Sequence, residues 1–156
     1  LAEYTQRTLI LGDMVYTDSI VVNTILNAKL MFCREKGIQT EVYVCRKLKQ
    51  ISEVDMCSIL GNALDNAVTA AGSYEGERYI EVFSEKKHDM LLITVDNSFD
   101  GILLQEKDKI YSKKREKGEE GIGILSIKKL CGKNGGTCKF EADGNRFQAS
   151  FLLKNM

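Results

Sequence analysis

The sequence predicts an α+β fold, a two-layer α/β sandwich with helices on one face of a mixed, mostly antiparallel sheet. Three observations predict it. Residues 52–72 repeat their apolar positions at the helical period. Four segments between residue 78 and the end alternate or are rich in β-branched residues, as half-buried strands are. The turns Asn134-Gly135-Gly136 and Asp143-Gly144-Asn145 are hairpin punctuation within that stretch.

Each element has its own signal. Residues 1–16 read as loosely helical, with Tyr4, Leu11 and Val15 on a shared face that Gly12 weakens. Asp18 or Ser19 caps a second helix with apolar positions Val22, Ile25, Leu26, Met31 and Phe32, and Gly37 stops it. Ile38 to Val44 alternates and is β-branched, hence a strand. Ser52 caps the next helix, which runs to about Ala71 and ends at Gly72. Arg78 to Ser84 and Met90 to Val95 are strands joined by the charged hairpin Glu85-Lys86-Lys87-His88-Asp89. A helix from about Ile122 to Leu130 and the strand pair Thr137–Ala142 and Arg146–Leu153 complete the chain, which has no internal repeat.

Composition bounds the function. The 156 residues, 44% hydrophobic, suit one domain with a real core. Lys plus Arg balance Asp plus Glu at 22 each, so no overall field argues for nucleic acid or an anionic membrane. No run of about eighteen apolar residues occurs, so no transmembrane helix is expected. The chain begins at Leu1 without an initiator Met or a signal-peptide pattern, and is expected to be a fragment of something longer. Cys33, Cys45, Cys57, Cys131 and Cys138 are odd in number and form no C-x-x-C pair. With one histidine, a zinc site is not expected, and reduced thiols in cytoplasm fit this set.

The helix after Ser52 carries the most informative feature. Its apolar positions Met56, Leu60, Ala63, Ala67 and Ala71 leave Asn62, Asp65, Asn66 and Thr69 as one stripe, at i, i+3, i+4 and i+7. Gly, Asn, Asp and Thr each cost roughly 0.5–1 kcal/mol against Ala in a helix interior. A solvated face would be built from Glu, Lys, Gln and Arg, so this stripe gives up propensity for side-chain chemistry. Short carboxamides one turn apart can hold a hydrated cation and phosphate oxygens without adding a full negative charge. The alternative is a tolerated polar face.

Two further segments point the same way. Gln105 to Glu120 has eleven charged residues in sixteen and too little apolar content to offset its ordering entropy. A loop of that length is either a surface insertion or a lid. The next residues favour the lid, because Glu120-Gly121-Ile122-Gly123-Ile124 opens a helix and places bare backbone N–H groups at its N-terminus, an anion site. Upstream, a strand ends at Val95 and turns through Asp96-Asn97-Ser98-Phe99-Asp100-Gly101. An amide at a strand end can hydrogen-bond the edge of a base, and the glycine lets backbone approach a ring.

These three elements, in this order, resemble the GHKL family of ATP-binding domains, which includes histidine kinases, DNA gyrase, MutL-type repair proteins and heat-shock chaperone ATPases. The resemblance covers residues from about Ile38 to Leu153. The family's Asn-x-x-x-Asn-Ala box is met by Asn62-Ala63-Leu64-Asp65-Asn66-Ala67. Its Asp-x-Gly-x-Gly box falls on Asn97-Ser98-Phe99-Asp100-Gly101, keeping only the last glycine, and its Gly-x-Gly-Leu box on Gly121-Ile122-Gly123-Ile124. The detail is most similar to the quorum-sensing peptide-receptor histidine kinases, where Asn replaces that aspartate and an upstream helix carries Asn-x-Lys, here Asn27-Ala28-Lys29.

The resemblance implies ATP and Mg²⁺ as cofactors. Asn66 would coordinate the metal and Asn62 assist it, and Asp65 of the same box would join them in binding the nucleotide. Asn97 would hydrogen-bond the adenine amino group, and Gly101 would allow close approach. Gly121, Ile122, Gly123 and Ile124 would present backbone to the phosphates, while Lys113, Lys114 or Arg115 of the lid could neutralise the γ-phosphate. Glu120 stands where close relatives often carry His. Hydrolysing members carry a glutamate at position 62 as general base; Asn62 cannot serve as one, which favours phosphoryl transfer to a protein.

No phosphoacceptor is expected in this chain, since His88, its one histidine, falls in a charged hairpin. Residues 1–17 are then the tail of a dimerisation helix or a linker, and 18–156 the catalytic domain. Implied partners are the receptor's own dimerisation and phosphoacceptor domain and a downstream response regulator, with no nucleic acid. The whole protein would be a homodimer anchored in the membrane upstream, with this domain in the cytoplasm. Two other readings stay open: an anti-sigma-factor-type serine kinase, and a regulatory module, nucleotide-binding or not, with a degenerate glycine box.

Overall fold

Strand pairing shows why a chain with so little helix-only sequence folds as two layers. The structure, a computed structural model, describes residues 9–11, 14–48, 51–102, 104–106, 109–111 and 122–154. Five strands form one sheet in the order β3 (Gln39–Tyr43), β4 (Tyr79–Lys87), β5 (Met90–Ser98), β9 (Arg146–Lys154), β8 (Thr137–Asp143). Only β3 and β4 are parallel; β4–β5, β5–β9 and β9–β8 run antiparallel, as the sequence predicts. Three helices among the described residues, α1 (Ile20–Glu35), α2 (Glu53–Gly72) and α3 (Ile122–Lys133), supply the second layer. None of them is long and apolar enough to cross a membrane.

Alternation sets the two faces of the sheet. Leu91, Ile93 and Val95 of β5, with Ala149, Phe151 and Leu153 of β9, point into the core, and their neighbours Thr94, Asp96 and Gln148 point to the other face. Against that apolar face lie Met56, Ile59, Leu60, Ala63, Leu64, Ala67 and Ala71, so the whole predicted apolar row of α2 is buried. Ser52 caps α2 by accepting from Asp55 N at 3.4 Å.

α1 follows its predicted caps more closely than its predicted face. Ser19 Oγ accepts from Val22 N at 3.2 Å, and the helix ends where Gly37 takes a φ of +68°. The buried stripe is Val22, Leu26 and Cys33. Met31 and Phe32 belong to the apolar set read from sequence, yet both are exposed, because the stripe through residues 22, 26 and 33 turns them to solvent. The Lys36 ammonium covers the Phe32 ring at 5.5 Å.

Three expectations are corrected. The N-terminal stretch is not helical where it is described: β1 (Leu9–Leu11) pairs antiparallel with β2 (Met14–Tyr16). Tertiary hydrogen bonds hold β2 and the residue after it extended. Val15 N donates to Asn27 Oδ1 at 2.7 Å and Asn27 Nδ2 to Val15 O at 3.0 Å; Asn23 makes the same double contact with Thr17, at 2.7 and 3.0 Å. Tyr4 lies outside the described residues. The charged stretch is not structureless throughout either, since β6 (Leu104–Glu106) pairs with β7 (Lys109–Tyr111). The β4–β5 hairpin is also tighter than its charge run suggests. Glu85, Lys86 and Lys87 continue β4, leaving a turn at His88-Asp89 with His88 at φ 58°.

Asp55 ties the start of α2 to the end of α3. Its buried carboxylate accepts from Asn134 Nδ2 at 3.0 Å and from Lys133 Nζ at 3.2 Å. The Asn134 hydrogen bond, with the Lys133 contact behind it, holds the Asp55 carboxyl below its usual range despite burial. A carboxyl lowered in the folded state stabilises the fold above its unfolded pKa of about 3.9 and loses that contribution as pH falls through the folded value. Asp55→Ala is therefore expected to cost about 1–3 kcal/mol at neutral pH. Thermal melts should show the gap to wild type closing below about pH 4, and a gap independent of pH would contradict the assignment.

Candidate functional site

α2 packs both on β5 and on α3, so the strand and the glycine-led helix singled out in the sequence flank the asparagine helix. The buried arc of α2 leaves Asn62 half-buried and Asn66 and Thr69 exposed along one edge. Asn62 and Asn66 stand one turn apart on that edge, as their spacing requires. Asp65, from the same stripe, leans toward α1, where Lys29 forms an ion pair with its carboxylate. The Asn-x-Lys signature thus has visible work: Asn27 holds β2, and Lys29 reaches the asparagine helix. The apolar crevice lined by Leu26, Leu30, Leu64 and Val82 lies across α2 from Asn66 and belongs to the core.

At the other wall, β5 continues through Ser98, three residues beyond the predicted strand end. Asn97 therefore shares the helix-facing side with Val95 and is buried at 2% exposure. Its Nδ2 donates to Ser98 O at 3.0 Å, so the amide is oriented, and its Oδ1 is the atom presented for accepting a hydrogen bond. Ser98 Oγ accepts from Tyr79 N at 3.0 Å and pins this strand end to β4. Beyond it, Phe99 is buried with its ring edge-on to Phe147 at 5.9 Å, and Phe99 N donates to Asn145 O at 2.9 Å.

Gly101 has a φ of +83°, and a Cβ there would meet Asn145 Nδ2 and Gly144 O, each at 3.2 Å. Glycine is required at that position by the turn's own conformation and by its contact with the β8–β9 turn. α3 starts at Ile122, as predicted, and continues to Lys133; Ile124 is buried, and Gly123 lies in the first turn. Gly121, Lys113, Lys114, Arg115 and Glu120 lie outside the described residues. His88 is exposed in its turn, as a solvated loop residue should be.

Sequence reading missed the network directly behind Asn97. Asp96 points to the opposite face of the sheet, is 4% exposed, and accepts from Tyr79 Oη at 2.8 Å and Arg146 Nε at 2.6 Å. Gln148 Nε2 adds a third contact at 3.4 Å. Burial, then the Asp96 hydrogen bond and charge, push the Tyr79 phenol up to about 12, so it stays a donor. Burial and the nearby Asp96 and Glu41 carboxylates likewise raise Glu81. The available signal was a carboxylate between a core valine and the site asparagine, a place where strand alternation alone reads as solvent.

A chain built this way has relatives. The GHKL domain family matches residues 51–154, and this chain belongs to it. The sensor histidine kinase DpiB of Escherichia coli (strain K12) is 29% identical over 127 residues, which is 75% of this chain and 23% of DpiB. The autoinducer 2 sensor kinase/phosphatase LuxQ of Vibrio vulnificus (strain YJ016) is 30% identical over 131 residues, 76% of this chain and 15% of LuxQ. The chain thus spans less than a quarter of the length of these relatives. Among solved structures, the catalytic domain of histidine kinase ThkA superposes with a TM-score of 0.66 at 19% identity, covering 86% of this chain and 92% of that one. The Mycobacterial sensor histidine kinase MprB gives 0.62 at 17%, covering 85% and 95%. At those identities the structural likeness establishes the fold.

Proposed function

We propose that this domain binds ATP with Mg²⁺ along the edge of α2 and transfers the γ-phosphoryl to a histidine on a dimerisation domain outside the chain. The observation that carries the reading is Asn62 and Asn66 one turn apart on the open edge of α2, the helix that packs on β5, whose end carries the buried amide of Asn97. Mg²⁺ keeps several waters and phosphate oxygens and takes only one or two protein oxygens. Carboxamide oxygens on a solvated helix edge fit that demand, with Asn66 as ligand and Asn62 assisting. When bound, the ion offsets the charge of the triphosphate.

The chain's own groups do the rest. Asn97 Oδ1 accepts from the adenine amino group, because its Nδ2 is committed to Ser98 O. That contact lacks the charge assistance a carboxylate would provide. The first turn of α3, with Gly123, offers backbone N–H groups and the positive end of the helix to the phosphates. Gly121 and the lid residues Lys113 and Lys114 complete the phosphate contacts in this proposal. Asp65, already paired with Lys29, keeps Lys29 on the asparagine helix instead of meeting nucleotide directly.

Nothing at position 62 can take a proton from water, so the acceptor is a protein side chain held in place. DpiB is a sensor histidine kinase and LuxQ a sensor kinase/phosphatase, which supports histidine over serine as acceptor. Residues 1–17 then connect to that acceptor domain, and 18–156 form the ATP-binding unit. The receptor would be a membrane-anchored homodimer that holds this domain in the cytoplasm and passes the phosphoryl group to a response regulator. Calorimetric titration tests the binding half: ATP should bind with Mg²⁺ and lose most of its affinity in EDTA. Equal affinity under both conditions would overturn the metal assignment.

A further inference from the structure

The last turn of α3 and the start of β8 bring two cysteines together. Cys131 is fully buried, Cys138 is half-buried against the same core, and neither is in a disulfide. Their thiols are hydrogen-bonded to each other. The connection between them is a hydrogen-bonded turn: Asn134 N donates to Leu130 O at 3.0 Å, Gly135 N to Gly132 O at 3.1 Å and Gly136 N to Cys131 O at 2.8 Å. Gly136 itself sits where a Cβ would come within 1.6 Å of Leu152 O, so the turn is pressed onto β9. On the far side, Cys138 is in register with Phe151. The turn and the strand thus bring the two thiols to one patch of the core, beside each other.

We propose that Cys131 and Cys138 are a reversible dithiol/disulfide site, closed by hydrogen peroxide and reopened by a cytoplasmic dithiol. Cys138, the more accessible sulfur, attacks the peroxide O–O bond as its thiolate; a sulfenic acid forms on Cys138 and hydroxide leaves. Cys131 sulfur then attacks the Cys138 sulfur, the S–S bond forms, and the sulfenic oxygen departs as water with the Cys131 proton. Two thiols are oxidised, one peroxide is reduced, and the hydroxide is protonated by solvent. The hydrogen bond to Cys138, together with burial, pushes the Cys131 thiol up, which suits a resolving thiol better than the initial nucleophile. The bond would fasten the C-terminal end of α3 to β8. This site stands independently of the nucleotide reading.

Lys133 lies between the two cysteines, so trypsin places them on separate peptides, Leu130–Lys133 and Asn134–Lys139. After hydrogen peroxide, the purified chain should yield those two peptides joined, at a mass lower by two hydrogens, and dithiothreitol should separate them. Cys138→Ser should abolish the joined species. Cys131→Ala should leave a sulfenic acid on Cys138 that dimedone captures, and because the wild-type peptide map alone is decisive, poor folding of that variant does not spoil the test. Oxidation of Cys138 to sulfinic acid while Cys131 remains a thiol would overturn the proposal. So would a bridge from exposed Cys57 to either sulfur in place of the joined peptides.

Discussion

Asn66→Ala is expected to lower Mg²⁺-dependent ATP affinity by roughly ten- to hundredfold, the range typical when one partner of a metal site is lost. The side chain lies on the exposed edge of α2, so its removal leaves the buried row from Met56 to Ala71 intact. Stability should therefore change little, since Ala is the better helix former. Calorimetry with and without EDTA reads the binding, and a thermal melt reads the fold. Unchanged affinity in a folded variant would remove Asn66 from the site.

Arg146→Ala is expected to be the most damaging change to the fold outside the apolar core. Breaking a buried ion pair from one side costs about 3–5 kcal/mol. Here the Arg146 side chain is 57% exposed and Asp96 keeps Tyr79 and Gln148, so solvent screening brings the expected cost to about 2–3 kcal/mol. That corresponds to a fall in melting temperature of roughly 5–10 °C for a domain of this size. Arg146→Ala in an Asp96→Asn background should cost much less, because no buried carboxylate is then left unpaired. Equal losses in the two backgrounds would show that Arg146 acts through packing alone.

How much of this was legible depends on where each signal resides. α2 was readable because its cap, its period and its row of small apolar residues all agree, and the structure buries that row as expected. The five strands of the main sheet followed from alternation and turn residues, which are also local. The segment at 9–16 was not readable as strand, because its extended form depends on Asn23 and Asn27 amides arriving from another element. Met31 and Phe32 misled for a related reason: apolar identity does not say which side of α1 meets the sheet. Asp96 was passed over because a carboxylate in an alternating strand reads as solvated until Arg146 and Tyr79 are seen to close over it. Of the candidate site, Asn62, Asn66 and Asn97 lie on elements that pack together, and Asp65 has a partner on α1 that its stripe did not announce.

Asn62 bears on reaction type, and phosphotransfer measures that most directly. The domain should be incubated with γ-labelled ATP, Mg²⁺ and a separately prepared helical dimerisation domain bearing the acceptor histidine of its receptor, while phosphate release is followed in parallel. The proposed function predicts acid-labile label on the partner, lost when its histidine is replaced, with very slow release of free phosphate. Asn62→Glu would place a carboxylate one turn before Asn66, and it should raise phosphate release without raising label on the partner, provided ATP affinity is retained in the same sample. Rapid phosphate release by the wild-type domain with no label on the partner would contradict the kinase reading and define an ATPase instead.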